Sequence, residues 1–136
     1  ALTKIECQRI LKNKGPILLI WNCRQEEDEL VQAVDSINRE FCQDFSGSAC
    51  GMRGEKNNGD YSDFFSGNYE IKSFYNPILF NKERFLGLHQ SASYCPDKRS
   101  TNYIKYINSL SKFFDKHCQN GILKLENNTQ CYIGYI

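Results

Sequence analysis

Seven cysteines are spread along this chain of 136 residues with no CxxC pair among them, and that spacing limits the fold more than any other feature. They are Cys7, Cys23, Cys42, Cys50, Cys95, Cys118 and Cys131. A structural zinc site needs two short-spaced ligand pairs, each held by one tight turn around a tetrahedral ion. The closest cysteines here, Cys42 and Cys50, have seven residues between them, so no metal site is expected and no cofactor is called for. Dispersed cysteines suit disulfides that close long loops, each worth about 2–4 kcal/mol through restriction of the unfolded chain. Such bonds persist in an oxidising compartment. All seven are therefore read as disulfide cysteines of a secreted protein. Because seven is odd, one is left over, which means an inter-chain bridge, a free thiol or an incomplete chain. The sequence does not fix the pairing.

The length is that of one domain, expected to span residues 1–136 and to bury a core of its own. Apolar residues at 40% and aromatics at 13% exclude a disordered chain. The longest uninterrupted apolar run, Ile17 to Trp21, is far too short for the ~20 residues that cross a bilayer. A net charge of +1 argues against nucleic acid as a partner. Asn127-Asn128-Thr129 is a glycosylation sequon in a polar stretch and adds support for secretion, with Asn127 as the acceptor. Ala1 follows no leader pattern and reads as a mature N-terminus after processing, or as an arbitrary boundary.

Two amphipathic helices stand out. Leu30, Val34, Ile37 and Phe41 fall on one stripe of a helix expected over about 25–44, and Glu26 to Glu29 lie at the positive end of its dipole. Ile104, Ile107, Leu110 and Phe114 do the same for 101–117, with Ser100 or Thr101 as N-cap and Gly121 as a stop signal. Strands are expected over 16–23, 68–75 and 85–89, and in a C-terminal hairpin of 121–125 with 130–135. Ile17-Leu18-Leu19-Ile20-Trp21 lacks polar alternation, the mark of a strand covered on both faces. The sum is an α+β fold, mainly an antiparallel sheet with two amphipathic helices packed on one face, braced by disulfides.

No catalytic motif emerges. His89 and His117, the only histidines, could serve as base and acid of a ribonuclease, with Lys105, Lys112 or Lys116 for charge stabilisation. His117 also suits a helix C-terminus as a plain cation. Trp21-Asn22-Cys23 follows an apolar strand but lacks the second cysteine of a CxxC redox site, so Cys23 reads as a disulfide cysteine. Glu26 to Glu29 read as solvated dipole partners rather than paired catalytic carboxylates. Asn57, Asn58, Asp60 and Asp63 do not match the calcium-loop pattern. Charge is segregated along the chain: residues 1–24 hold five basic residues against Glu6, and residues 25–45 seven acidic against Arg39.

The Gly-rich stretch from Ser46 to Gly67 has no sustained period, and irregular segments of that length often carry function. Arg53, Tyr61, Phe64 and Phe65 within it have the composition of interface anchors. The alternative is that the loop packs down and buries its rings. The leading expectation is a secreted protein that binds a protein or cell-surface target, as a toxin, effector or recognition ligand does. The alternatives are the ribonuclease and a subunit bridged to a partner chain through the odd cysteine.

Overall fold

The computed structural model describes residues 2–12, 15–47 and 61–136. They form an α+β structure with four helices and two sheets: α1 Leu2–Ile10, β1 Ile17–Arg24, α2 Glu29–Phe41, β2 Glu70–Tyr75, β3 Ile78–Phe80, α3 Lys82–Gln90, α4 Thr101–His117, β4 Leu123–Leu125 and β5 Asn127–Gly134. The chain divides into two compact units, Ala1–Cys23 with Ala49–Tyr75 and Asn128–Ile136, and Arg24–Ser48 with Asn76–Asn127. Among the described residues no helix is long and apolar enough to cross a membrane.

The first unit is built on a three-stranded sheet in the order β1-β5-β2. β2 runs antiparallel to β5, with Ile71 opposite Tyr132 and Phe74 opposite Thr129. Side chains alternate across the pleat, so Ile17, Leu19 and Trp21 share one face of β1 and Leu18, Ile20 and Asn22 the other. The first face packs with Tyr132, Phe65, Tyr61 and Tyr69 into an aromatic core. Gly134 is required there by space: a Cβ would stand 2.5 Å from Phe65 Cδ1. α1 contributes no buried residue, which is why no apolar stripe announces it in the sequence.

The second unit packs α2 and α3 on α4, beside the antiparallel pair β3-β4. Its core is Val34, Phe80, Phe85, Tyr106, Leu110, Phe113, Phe114, Leu123 and Leu125 with Cys42. Three helix starts are capped by side chains that accept the otherwise unpaired N–H of the first turn. These are Asp28 from Val31 at 2.9 Å, Asn81 from Arg84 at 2.8 Å and Ser100 from Tyr103 at 3.1 Å. After α4, Asn120 and Gly121 both take left-handed φ, 50° and 74°, as a two-residue I′ turn requires, and lead into β4.

Four sequence expectations change. Residues 85–89 lie within helix α3 rather than a strand, because Phe85 and His89 are one turn apart and are the buried pair of that helix. The C-terminal hairpin does not form: β4 pairs with β3, while β5 joins β1 and β2 in a different sheet. The long helices are rotated from their expected stripes, burying Asp35 and Asn38 in α2 and Tyr106 in α4 while Ile104 is left exposed. Bracing by many disulfides is not what holds the described residues together. Cys7, Cys42, Cys95, Cys118 and Cys131 carry free thiols, Cys23 is disulfide-bonded, and Cys50 lies outside the described residues.

Candidate functional site

The aromatic residues expected as contacts occupy the interior of the first unit. Tyr61 and Phe65 are buried and Phe64 is half-buried; Arg53 lies outside the described residues, as does most of the stretch from Ser46 to Gly67. Phe65 packs tilted against Tyr69 at 5.2 Å, and Tyr61 meets Tyr132 edge-on at 4.6 Å between ring centres. The Ser66 N–H donates to the Tyr135 carbonyl at 2.7 Å, which ties residues 61–66 down onto the sheet's C-terminal strand. The anchors are consumed by the core because the inward face of β1 supplies an apolar floor for them.

The opposite face of the same sheet is different. Leu18 and Ile20 are 50% and 60% exposed, and Phe74 is 55% exposed. Thr129 sits beside Phe74 in register, and its hydroxyl donates to the Asn22 side-chain oxygen at 2.8 Å. That bond places Leu18, Ile20, Asn22, Thr129 and Phe74 on one face. Cys131 and Ile133 of the central strand alternate onto it with Thr129. Lys72 and Glu70, beside Phe74, pair with each other at 3.3 Å, so this end of the face carries two opposite charges that largely cancel. The face thus carries exposed Leu18 and Ile20 on one outer strand and Phe74 on the other, with Thr129, Cys131 and Ile133 of the central strand between them.

In the second unit, His89 lies under α4 in a buried polar cluster. The Tyr106 hydroxyl donates to Asn38 Oδ1 at 2.7 Å and meets His89 Nδ1 at 3.2 Å. With its own proton spent on Asn38, the hydroxyl accepts from His89, which fixes the Nδ1–H tautomer. His89 Nε2 and Asn38 Nδ2 meet no hydrogen-bond partner among the described residues. Burial, helped by the positive charge of Arg24, pushes the His89 pKa down to about 3, so its ring is neutral at physiological pH. Burial likewise pushes both the Cys42 thiol and the Tyr106 hydroxyl up. A neutral, sealed imidazole beside a protonated thiol gives neither an accessible acid–base pair nor an activated nucleophile. His117 stands apart on the last turn of α4, stacked on Phe113 at 4.7 Å, and no contact joins the two histidines among the described residues.

Next to this cluster a cavity of about 300 Å³ opens between the end of α2 and the segment after α3, lined by Cys42, Tyr94, Cys95, Asp97 and Ser100 among others. Asp97 is engaged by Arg99 at 3.3 Å, whose guanidinium holds its carboxyl below the usual range. No cluster of three or more His, Cys, Asp and Glu side chains is placed to hold a metal ion among the described residues. Asn127 is buried, and its Nδ2 donates to the Asn76 carbonyl at 3.1 Å. A glycan on Asn127 would have to displace this bond, because glycosylation needs that nitrogen in solvent. Of the acidic group Glu26 to Glu29, Asp28 serves as the α2 N-cap and Glu29 lies in its first turn, so their roles are structural.

No known protein family matches the chain, and no curated protein and no solved structure is similar to it.

Proposed function

We propose that this is a secreted domain that acts by binding a protein target, and that the contact surface is the outward face of the three-stranded sheet, with Leu18, Ile20 and Phe74 as its exposed apolar side chains. One observation carries the proposal. The run Ile17 to Trp21 has the continuous apolar pattern of a strand buried on both sides, yet Leu18 and Ile20 stand half or more exposed. Apolar side chains this exposed and aligned on one sheet face supply surface for a partner, since large aligned apolar patches are rare on free-standing proteins. The partner is a protein rather than a small molecule because the face is an open sheet surface and not a concave pocket. It is apolar where it meets Leu18 and Ile20, and polar where it meets Asn22 and the Glu70–Lys72 pair.

This reading keeps the expected class of activity and moves its surface from Arg53, Tyr61, Phe64 and Phe65 to the sheet. The ribonuclease alternative draws no support from a histidine as deeply buried as His89. The test is saturable binding of labelled protein to intact cells before and after surface proteolysis, with unlabelled protein and an Ile20→Thr/Phe74→Thr variant as competitors. Protease-sensitive binding that the parent protein displaces and the variant does not is the expected result. Equal competition by the two, or binding indifferent to proteolysis, overturns the proposal.

A further inference from the structure

Cys42 belongs to the core of the second unit and Cys95 packs against that core. Cys42 ends α2: its N–H donates to the Asn38 carbonyl at 2.8 Å, and the Phe45 N–H returns to the Cys42 carbonyl at 3.2 Å. Cys95 closes a turn in which its own N–H donates to the Ala92 carbonyl at 3.0 Å. The two turns are clamped by an edge-on contact of Phe45 with Tyr94 at 4.9 Å, three residues after one cysteine and one before the other. Both thiols are free, and both line the same cavity of about 300 Å³. Cys42 is buried and Cys95 half-exposed.

We infer that Cys42 and Cys95 are a disulfide-forming dithiol that takes oxidising equivalents from a small disulfide such as oxidised glutathione, and that the bond bridges the walls of this cavity. The accessible Cys95 thiolate attacks one sulfur of the small disulfide, giving a mixed disulfide and releasing one thiolate. Cys42, protonated at rest, gives up its proton as it attacks the Cys95 sulfur, forming the Sγ–Sγ bond and releasing the second thiolate. The two protons leaving the cysteines are taken up by the two departing thiolates. The protein dithiol is thus oxidised by two electrons and one small disulfide is reduced to two thiols. The positive charge of Lys98 favours the Cys95 thiolate, although burial acts more strongly and holds that thiol above its usual range. The exchange is therefore expected to quicken as pH rises through 8 and 9.

The experiment treats the whole folded protein with oxidised glutathione, quenches with an alkylating agent under denaturing conditions without reductant, and maps the digest by mass spectrometry. The number of alkylated thiols among Cys7, Cys42, Cys95, Cys118 and Cys131 should fall from five to three. A peptide pair joining Cys42 to Cys95 should appear. Cys95→Ser should leave Cys42 fully alkylated, and Cys42→Ser should trap Cys95 as a stable mixed disulfide with glutathione. Because either variant can lose stability, circular dichroism of the parent before and after oxidation serves as a second readout and should be unchanged. Linkage of either residue to a different cysteine, a glutathione adduct on Cys95 that does not resolve in the parent protein, or full alkylation of both residues overturns the inference.

Discussion

Acid should weaken this fold through one residue. His89 is neutral in the folded state, with a pKa pushed down to about 3 by burial, whereas in the unfolded chain it titrates near ~6.5. Between those values the unfolded chain binds the extra proton, so the contribution is full above about pH 6.5 and is lost as pH falls towards 3. From pH 7 to pH 5 the loss from this group alone is about 2 kcal/mol, growing to about 5 kcal/mol below pH 3. The value at pH 5 is set almost wholly by the unfolded pKa, because the folded ring is unprotonated there. The control is His89→Asn, whose amide can donate to the Tyr106 oxygen as His89 Nδ1 does at 3.2 Å but does not titrate. The variant also loses ring contact with Phe85 at 4.9 Å, so it is weaker at every pH. That offset cancels when each protein is compared with itself. Urea unfolding at pH 7 and pH 5 reads the difference directly. The parent midpoint should fall by about 1 M more than that of the variant, for a slope of about 2 kcal/mol per molar. Equal falls for the two proteins would refute the burial of a neutral His89, and with it the ground for setting aside an acid–base role.

Three further outcomes follow from the same packing. Tyr106→Phe removes the proton donated to Asn38 and the oxygen that accepts from His89, and should cost about 1–3 kcal/mol by denaturant unfolding, as buried polar groups left unpaired do. Gly134→Ala sets a methyl group against the buried Phe65 ring and should cost about 1–3 kcal/mol by overpacking, whereas an unchanged melting temperature would show that the ring moves freely aside. Protein secreted from a glycosylating host should carry no glycan on Asn127, whose side-chain nitrogen is held by Asn76; a glycopeptide at that position would contradict the buried arrangement.

The parts of the fold that could be read from sequence are those where apolar periodicity alone decides the structure. α4 coincides with its expected span, and β1 and β2 fall within a residue or two of theirs. Where polar residues enter the core, periodicity misleads. Asn38, His89 and Tyr106 are buried as a hydrogen-bonded set, so α2 and α4 turn more polar stripes inward than hydrophobicity selects, and α3 shows only Phe85 of its buried pair. Pairing between strands distant in sequence was equally hidden, since nothing local tells β4 to join β3 rather than β5. The aromatic stretch Tyr61 to Phe65 was legible as important but not as interior. Its composition suits an interface and a core alike, and the inward face of β1 decides between them. The outward face had its signal in plain view in the unbroken run Ile17 to Trp21, which promises two covered faces where Leu18 and Ile20 stand half or more exposed.

Binding by single-residue variants on the two sides of that sheet tests the proposed surface most directly. Ile20 is 60% exposed, and burying that fraction of an isoleucine against a partner is worth about 1–2 kcal/mol. Ile20→Thr, which keeps a β-branched residue in the strand, should therefore weaken target binding by roughly 5- to 30-fold while leaving unfolding free energy within ~0.5 kcal/mol of the parent. Phe65→Leu, on the inward side, should do the reverse, lowering stability while leaving the affinity of the folded fraction unchanged. Undiminished affinity for Ile20→Thr, together with lost affinity for a well-folded Phe65→Leu, would return the contact surface to the aromatic segment and contradict the assignment to the sheet.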